Sequence, residues 1–207
     1  NSNSAFANNP LMISLDLLIE EGFVIHDDLG DLPKQDEQRV DFNSVIKWKI
    51  PILEKAARCF LLNAPKEALN EYKLFCSENK NWIDNYALFC VIQKIHDKSM
   101  WESWELGYKN LDQDQLSNIE NLHSDEIEII KVLQFLFYRQ WIELKDYANT
   151  KGIKIIGDIP IYISYNSADV WSNKNLFKLN LKEQDYKSAI NNGKKVIELE
   201  TSKNPIS

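Results

Sequence analysis

The stretch IKIIGDIPIYISYNSADVW, residues 153–171, decides how the rest of the chain is read. Ile153, Ile155 and Ile156 form a short apolar run that ends at Gly157 and Asp158. A brief β-branched run bounded by glycine and proline reads as a buried strand. Just upstream, residues 125–149 carry the strongest helical pattern of the chain. Ile130, Leu133, Phe137, Gln140, Trp141, Leu144 and Ala148 trace an i, i+3, i+4 stripe. Ser124 or Asp125 is placed to cap its start, and Gly152 fits just past its end. A long helix that delivers an apolar strand is an α/β signature, and such strands sit in parallel sheets.

The pattern further upstream is helical. Val45, Trp48, Ile52, Leu53, Ala56, Ala57 and Phe60 predict a helix over residues 44–63, with Pro51 marking a start or a kink. A second helix is predicted over residues 65–77 and a third over 82–96, the latter capped by Asn79 or Asn81. Trp101–Trp104 reads as a turn or short helix. Near the start, the turn signal Asn8-Asn9-Pro10 leads into a short extended piece and a helical turn that Gly22 ends. Residues 26–41 are polar and loop-like.

Composition removes several classes of function. The net charge of −7 argues against a nucleic-acid partner, which would need a clustered excess of Lys and Arg. No apolar run approaches the roughly 18 residues of a membrane helix, and the polar start does not resemble a secretory signal. The first residue is not methionine, which points to a fragment or a processed product. Cys59, Cys76 and Cys90 are odd in number and lack a CxxC spacing, so a reduced, cytoplasmic setting is expected. His26, His96 and His123 are scattered without metal-ligand spacing, so no metal is expected, and His26-Asp27-Asp28 reads as a solvated turn.

Chemistry in parallel α/β folds gathers at the carboxyl ends of strands, where Asp158 stands. Gly157 removes a side chain just before it, so a ligand or another backbone can approach closely. A carboxylate here can accept hydrogen bonds from a sugar hydroxyl or pair with an arginine. On the residues alone, the commoner arrangement is that such an aspartate bonds only the backbone amides of its own turn. The six tryptophans are flat surfaces of the kind that stack on sugar faces. Trp82 and Trp141 fall on helical apolar stripes and are expected in the core, whereas Trp101, Trp104 and Trp171 are freer, although tryptophans in such places are still more often structural than not.

Three segments together resemble one family. NSAFANNPLMISLDLLIEEGFV (residues 3–24) resembles the amylomaltase segment Ser-Ala-Phe-Ala-Gly-Asn-Pro, with Asn8 in place of the usual glycine. NWIDNYALFCVIQKIHDKSMWESW (81–104) resembles that family's Trp-x-x-x-Tyr-Ala-x-Phe helix and its later Trp-x-x-Trp. FLFYRQWIELKDYANTKGIKIIGDIPIYISYNSADVWSNKNLFKL (135–179) carries the most specific match, Gly-Asp-x-Pro-Ile-Tyr followed by Ser-Ala-Asp-Val-Trp. The family is the 4-alpha-glucanotransferases, also called amylomaltases, MalQ-type or disproportionating enzymes.

The resemblance implies part of an α-amylase-like (β/α)₈ TIM barrel with a helix-rich insertion, in a piece that is itself mostly α-helical. It implies transfer of α-1,4-glucan segments between malto-oligosaccharides by a retaining double displacement, without a metal or organic cofactor. It places Asp158 in the third-strand motif that lines the donor sugar site, as a substrate-binding residue and not as the nucleophile. Asp169 falls in a family motif as a turn or cap residue. The family's nucleophile, general acid and third aspartate lie on later strands, and no Arg-x-Asp-His occurs here among Arg39, Arg58 and Arg139. The implied catalytic set within this chain is therefore empty, and the chain alone is expected to be inactive. The expected divisions are a loop and short elements over 1–43, a helical insertion over 44–122, a barrel helix plus third strand over 123–179, and a divergent polar tail over 180–207. The alternative is a non-catalytic helical module that binds glucan or a protein partner.

Overall fold

The computed structural model describes residues 3–33, 38–157, 161–177 and 179. Its elements are helices: α1 Leu15–Glu20, α2 Phe42–Asn63, α3 Lys66–Glu78, α4 Lys80–Ile95, α5 Leu106–Asn110, α6 Gln113–Leu122, α7 Ser124–Thr150 and α8 Ala168–Ser172. Short 3-10 turns lie at Pro10–Met12, His26–Leu29, Trp101–Ser103 and Lys174–Leu176. The caps follow the sequence chemistry. Ser14 accepts from the Leu17 N–H, Asp41 from Asn43 and Ser44, Asp112 from Gln115, and Ser167 from Val170. Asn79 closes α3, where its side chain donates to the Phe75 carbonyl at 2.8 Å. Pro51 lies inside α2, where it forgoes one intrahelical hydrogen bond without ending the helix.

The chain forms two compact units. The first comprises Asn1–Ala7, Asn81–Ile127 and Ile156–Ser207, and the second comprises Asn8–Lys80 and Glu128–Ile155. In the first, Phe89, Trp104 and Trp171 meet with ring centroids 5.2–5.8 Å apart, and all three are buried. In the second, Phe60 and Phe135 lie 5.6 Å apart at the centre of a group with Phe23, Tyr72 and Phe75. The Tyr72 hydroxyl donates to Glu128 at 2.7 Å. Burial first, and then the Glu128 carboxylate, push its pKa far up.

Two expectations are corrected here. Among the described residues no β-strand forms, and 153–157 are without regular structure. A strand exists through hydrogen bonds to neighbouring strands, and this run has none beside it among the described residues. Its isoleucines are exposed, Ile156 to 94%. The expected burial of Trp82 and Trp141 in the core is also overturned. Trp101, Trp104 and Trp171 are buried, whereas Trp141 is exposed and Trp82 only half-buried. A helical stripe shows which side can face a core, but not how far along the helix that core extends.

Gly152 has φ +73°, in the left-handed region, and ends α7 as the sequence predicts. The N–H of Ile153 reaches back to the Ala148 carbonyl at 3.0 Å, closing the last turn. A Cβ there would meet nothing within 4 Å, so replacement is penalised only through the backbone. Gly152→Ala is expected to lower the unfolding free energy by about 1–2 kcal/mol in urea titrations.

Candidate functional site

The expected site residue, Asp158, lies outside the described residues. What the structure describes is its immediate surroundings in sequence. Gly157 on one side and Ile161 and Tyr162 on the other are exposed to solvent.

Beyond Tyr162 the chain, already in the first unit, becomes firmly held. The Trp101 indole N–H donates to the Tyr165 carbonyl at 2.8 Å, and the Trp101 backbone N–H donates to the Asn166 side chain at 3.2 Å. Ser167 caps α8, and the Ala168 N–H donates to the Asn3 carbonyl at 2.8 Å. The Trp171 indole N–H donates to the Tyr108 carbonyl at 2.9 Å. Each tryptophan thus spends its polar edge on backbone and its ring on the core, so neither offers a face to a sugar.

Among the described residues of this unit, Asp169 is a buried charge. Its carboxylate accepts from the Ala5 N–H at 2.9 Å and from the Ser4 hydroxyl at 3.2 Å. The Ser4 oxygen in turn accepts from the N–H groups of Phe6 and Ala7. Asn3 adds a bond to Gln93 of α4 at 3.1 Å, and Phe6 stacks on Trp82 with centroids 6.4 Å apart. Parts of the three segments that carry the family resemblance therefore meet here, Ser4 and Ala5 at Asp169 and Asn3 and Phe6 at α4. Asp169 neither caps nor turns the chain: Ser167 is the cap, and Asp169 ties α8 to residues 4 and 5. Burial raises its pKa above the ordinary aspartate value, against the opposing hydrogen bonds from Ala5 and Ser4. A carboxylate so engaged and enclosed is not available to a substrate.

Other titratable groups are equally committed. Burial pushes the Cys90 thiol up to about 11 despite hydrogen bonds from Tyr86 and Asn3, and all three cysteines are free. His96 bonds the Ile92 carbonyl, and His123 pairs with Glu126. Asp28, in the 3-10 turn His26–Leu29, is paired with Lys55, which holds its carboxyl below the usual range. Among the described residues, no group of three or more His, Cys, Asp or Glu could hold a metal ion. No helix among them is long and apolar enough to cross a membrane.

The segments around Asp169 match known proteins as a set. The sequence profile of the 4-alpha-glucanotransferases matches residues 1–186. The chain belongs to the 4-alpha-glucanotransferase family. It is 38% identical over 176 residues to a 4-alpha-glucanotransferase of Synechocystis, covering 85% of this chain and 35% of that protein. It is 35% identical over 178 residues to that of Thermus thermophilus, covering 86% of this chain and 35% of the relative. Among solved structures it matches an amylomaltase from Streptococcus agalactiae in complex with acarbose, with a TM-score of 0.82 and 36% identity over 89% of this chain and 37% of that one. The chain thus spans about a third of the length of the relatives it matches. These relatives are named as enzymes that transfer 4-α-glucan.

The departure at position 8 has a local explanation. A glycine would be needed if the backbone there were left-handed, but the non-glycine residues with positive φ are Asp97, Lys98 and Leu111, and Asn8 is not one of them. Its backbone N–H and carbonyl are both held by Gln134, at 2.8 and 3.0 Å. What that contact recognises is main chain, so the side chain at this position can vary.

Proposed function

We propose that this chain is part of a 4-alpha-glucanotransferase that moves α-1,4-glucan segments between malto-oligosaccharides. The transfer would be a retaining double displacement, with nucleophile and acid supplied by polypeptide that this chain does not span. The helical block over 44–122 would be an insertion into a (β/α)₈ barrel, and Asp158 would hydrogen-bond the donor sugar. The setting would be cytoplasmic, a reading that the three free cysteines support. The observation that carries the proposal is the match over residues 1–186 together with the structural likeness to an amylomaltase that holds acarbose.

The test has two parts. The 207-residue chain incubated with maltotriose should release no glucose and form no longer glucans. Turnover would show that the carboxylates needed for chemistry lie within it. Maltoheptaose binding, followed by calorimetry, should be weakened about tenfold by Asp158→Ala, the effect of losing one hydrogen bond to a charged group. Binding that Asp158→Ala leaves unchanged would remove Asp158 from the sugar site.

A further inference from the structure

We infer that Gln134 and Gln140 are positioning residues that hold the main chain of residues 8–14 in one register for glucan binding. Both lie on α7 and both belong, with residues 8–14, to the second unit. Gln134 Oε1 accepts from the Asn8 N–H at 2.8 Å, and its Nε2 donates to the Asn8 carbonyl at 3.0 Å. Gln140 repeats the arrangement six residues on, accepting from the Ser14 N–H at 2.7 Å and donating to the Ser14 carbonyl at 3.2 Å. Each carboxamide presents its C=O and N–H to the N–H and C=O of a single residue, as a neighbouring strand would. Between them, Lys49 of α2 donates to the Leu11 carbonyl at 2.9 Å. Burial lowers the pKa of that ammonium, an unfavourable placement that the bond to Leu11 offsets.

The anchors fall on residues 8, 11 and 14, and each comes from a side chain of another element. Gln134 is 1% exposed. A leucine would fill its space without desolvating an amide, so a glutamine there is explained by the two bonds it makes. The segment so fixed lies within residues 3–24, one of the stretches that carry the family resemblance, and it leaves Asn9 exposed and Met12 72% exposed. A rigid main chain with outward side chains is what a preorganised binding surface requires. The assignment rests on the glucan-binding reading proposed above.

Gln140→Glu separates positioning from simple support. A protonated carboxyl offers C=O and O–H where the amide offers C=O and N–H, so it keeps both bonds to Ser14. The ionised form loses the donor and repels the Ser14 carbonyl. At pH 7 the variant should show about tenfold faster exchange of the Ser14 amide and about tenfold weaker maltoheptaose binding. At pH 4 both should return to within about twofold of the unaltered chain at the same pH, since the carboxyl is then largely protonated. Gln140 is half-buried, and unchanged helical circular dichroism would confirm that the variant folds. Unaltered Ser14 exchange at pH 7 would overturn the clamp. Faster exchange with unchanged binding would overturn the positioning role and leave a structural one. If the unaltered chain binds no maltoheptaose, the glucan reading fails and the positioning role with it, while Ser14 exchange still decides whether the clamp exists.

Discussion

Trp171→Ala is expected to lower the unfolding free energy by about 3–5 kcal/mol, the range for deleting a large aromatic from a packed core. Trp171 is fully buried. Its ring lies 5.8 Å from both Phe89 and Trp104, and its N–H donates to the Tyr108 carbonyl at 2.9 Å. Alanine would remove the ring contacts and that donor together, and the cavity could close only by moving two other large rings. Against a typical total of about 5–15 kcal/mol, such a loss would leave the fold marginal. Trp171→Phe keeps most of the apolar volume and should cost distinctly less. The comparison that matters is Trp141→Ala, at an exposed position on α7, where a change within about 1 kcal/mol is expected. Urea titrations of the three variants decide the point. Equal losses at Trp141 and Trp171 would mean that the helical stripe, and not the burial described above, locates the core.

That contrast shows what the sequence could reveal and what it could not. The long helices were legible because α2, α3, α4 and α7 each place apolar residues at spacings of three and four along more than two turns. α6 was not, since its buried apolar residues are only Leu116 and Ile119 in an otherwise polar stretch. Its cap, Asp112, was the available signal. The strand reading of Ile153, Ile155 and Ile156 failed for a different reason. A helix satisfies its own backbone, whereas a strand depends on segments that local sequence does not describe.

The candidate site divides in the same way. Resemblance marked residues 3–24, 81–104 and 135–179 as belonging together, but not how they meet. Ser4 and Asp169 are 165 positions apart, and nothing in the spacing of either announces the other. Gln134 and Gln140 gave no signal at all, because Gln140 looks like one more member of a helical stripe and Gln134 like an interruption of it. Their partners are main-chain groups, which leave no trace in the identity of residues 8 and 14. Asp158 was read as a strand-end carboxylate, and its place lies outside the described residues.

Asp169 provides the second large effect and one whose pH dependence has a definite sign. Asp169→Ala would leave the Ala5 N–H and the Ser4 hydroxyl without their acceptor inside the first unit, for a loss of about 2–4 kcal/mol at neutral pH. Asp169→Asn keeps an oxygen acceptor and removes the charge that burial disfavours, so it should be tolerated far better. Burial is the largest influence on this carboxyl and raises its pKa, while the bonds from Ala5 and Ser4 only partly oppose it. The folded state therefore holds the proton more tightly than the unfolded state. The stability due to that proton is complete below the unfolded value of 3.8 and is lost as pH rises through the folded pKa. Carboxylates held low by partners, such as Glu126 beside His123, act in the opposite direction but are common to both proteins. They cancel when the unaltered chain is compared with Asp169→Asn. The difference in unfolding free energy, unaltered minus variant, should accordingly fall as pH is raised from below 3.8 toward neutrality. A difference that rises over the same interval would mean that hydrogen bonding outweighs burial at Asp169, and that the carboxylate is held in its charged form by the Ser4 and Ala5 contacts.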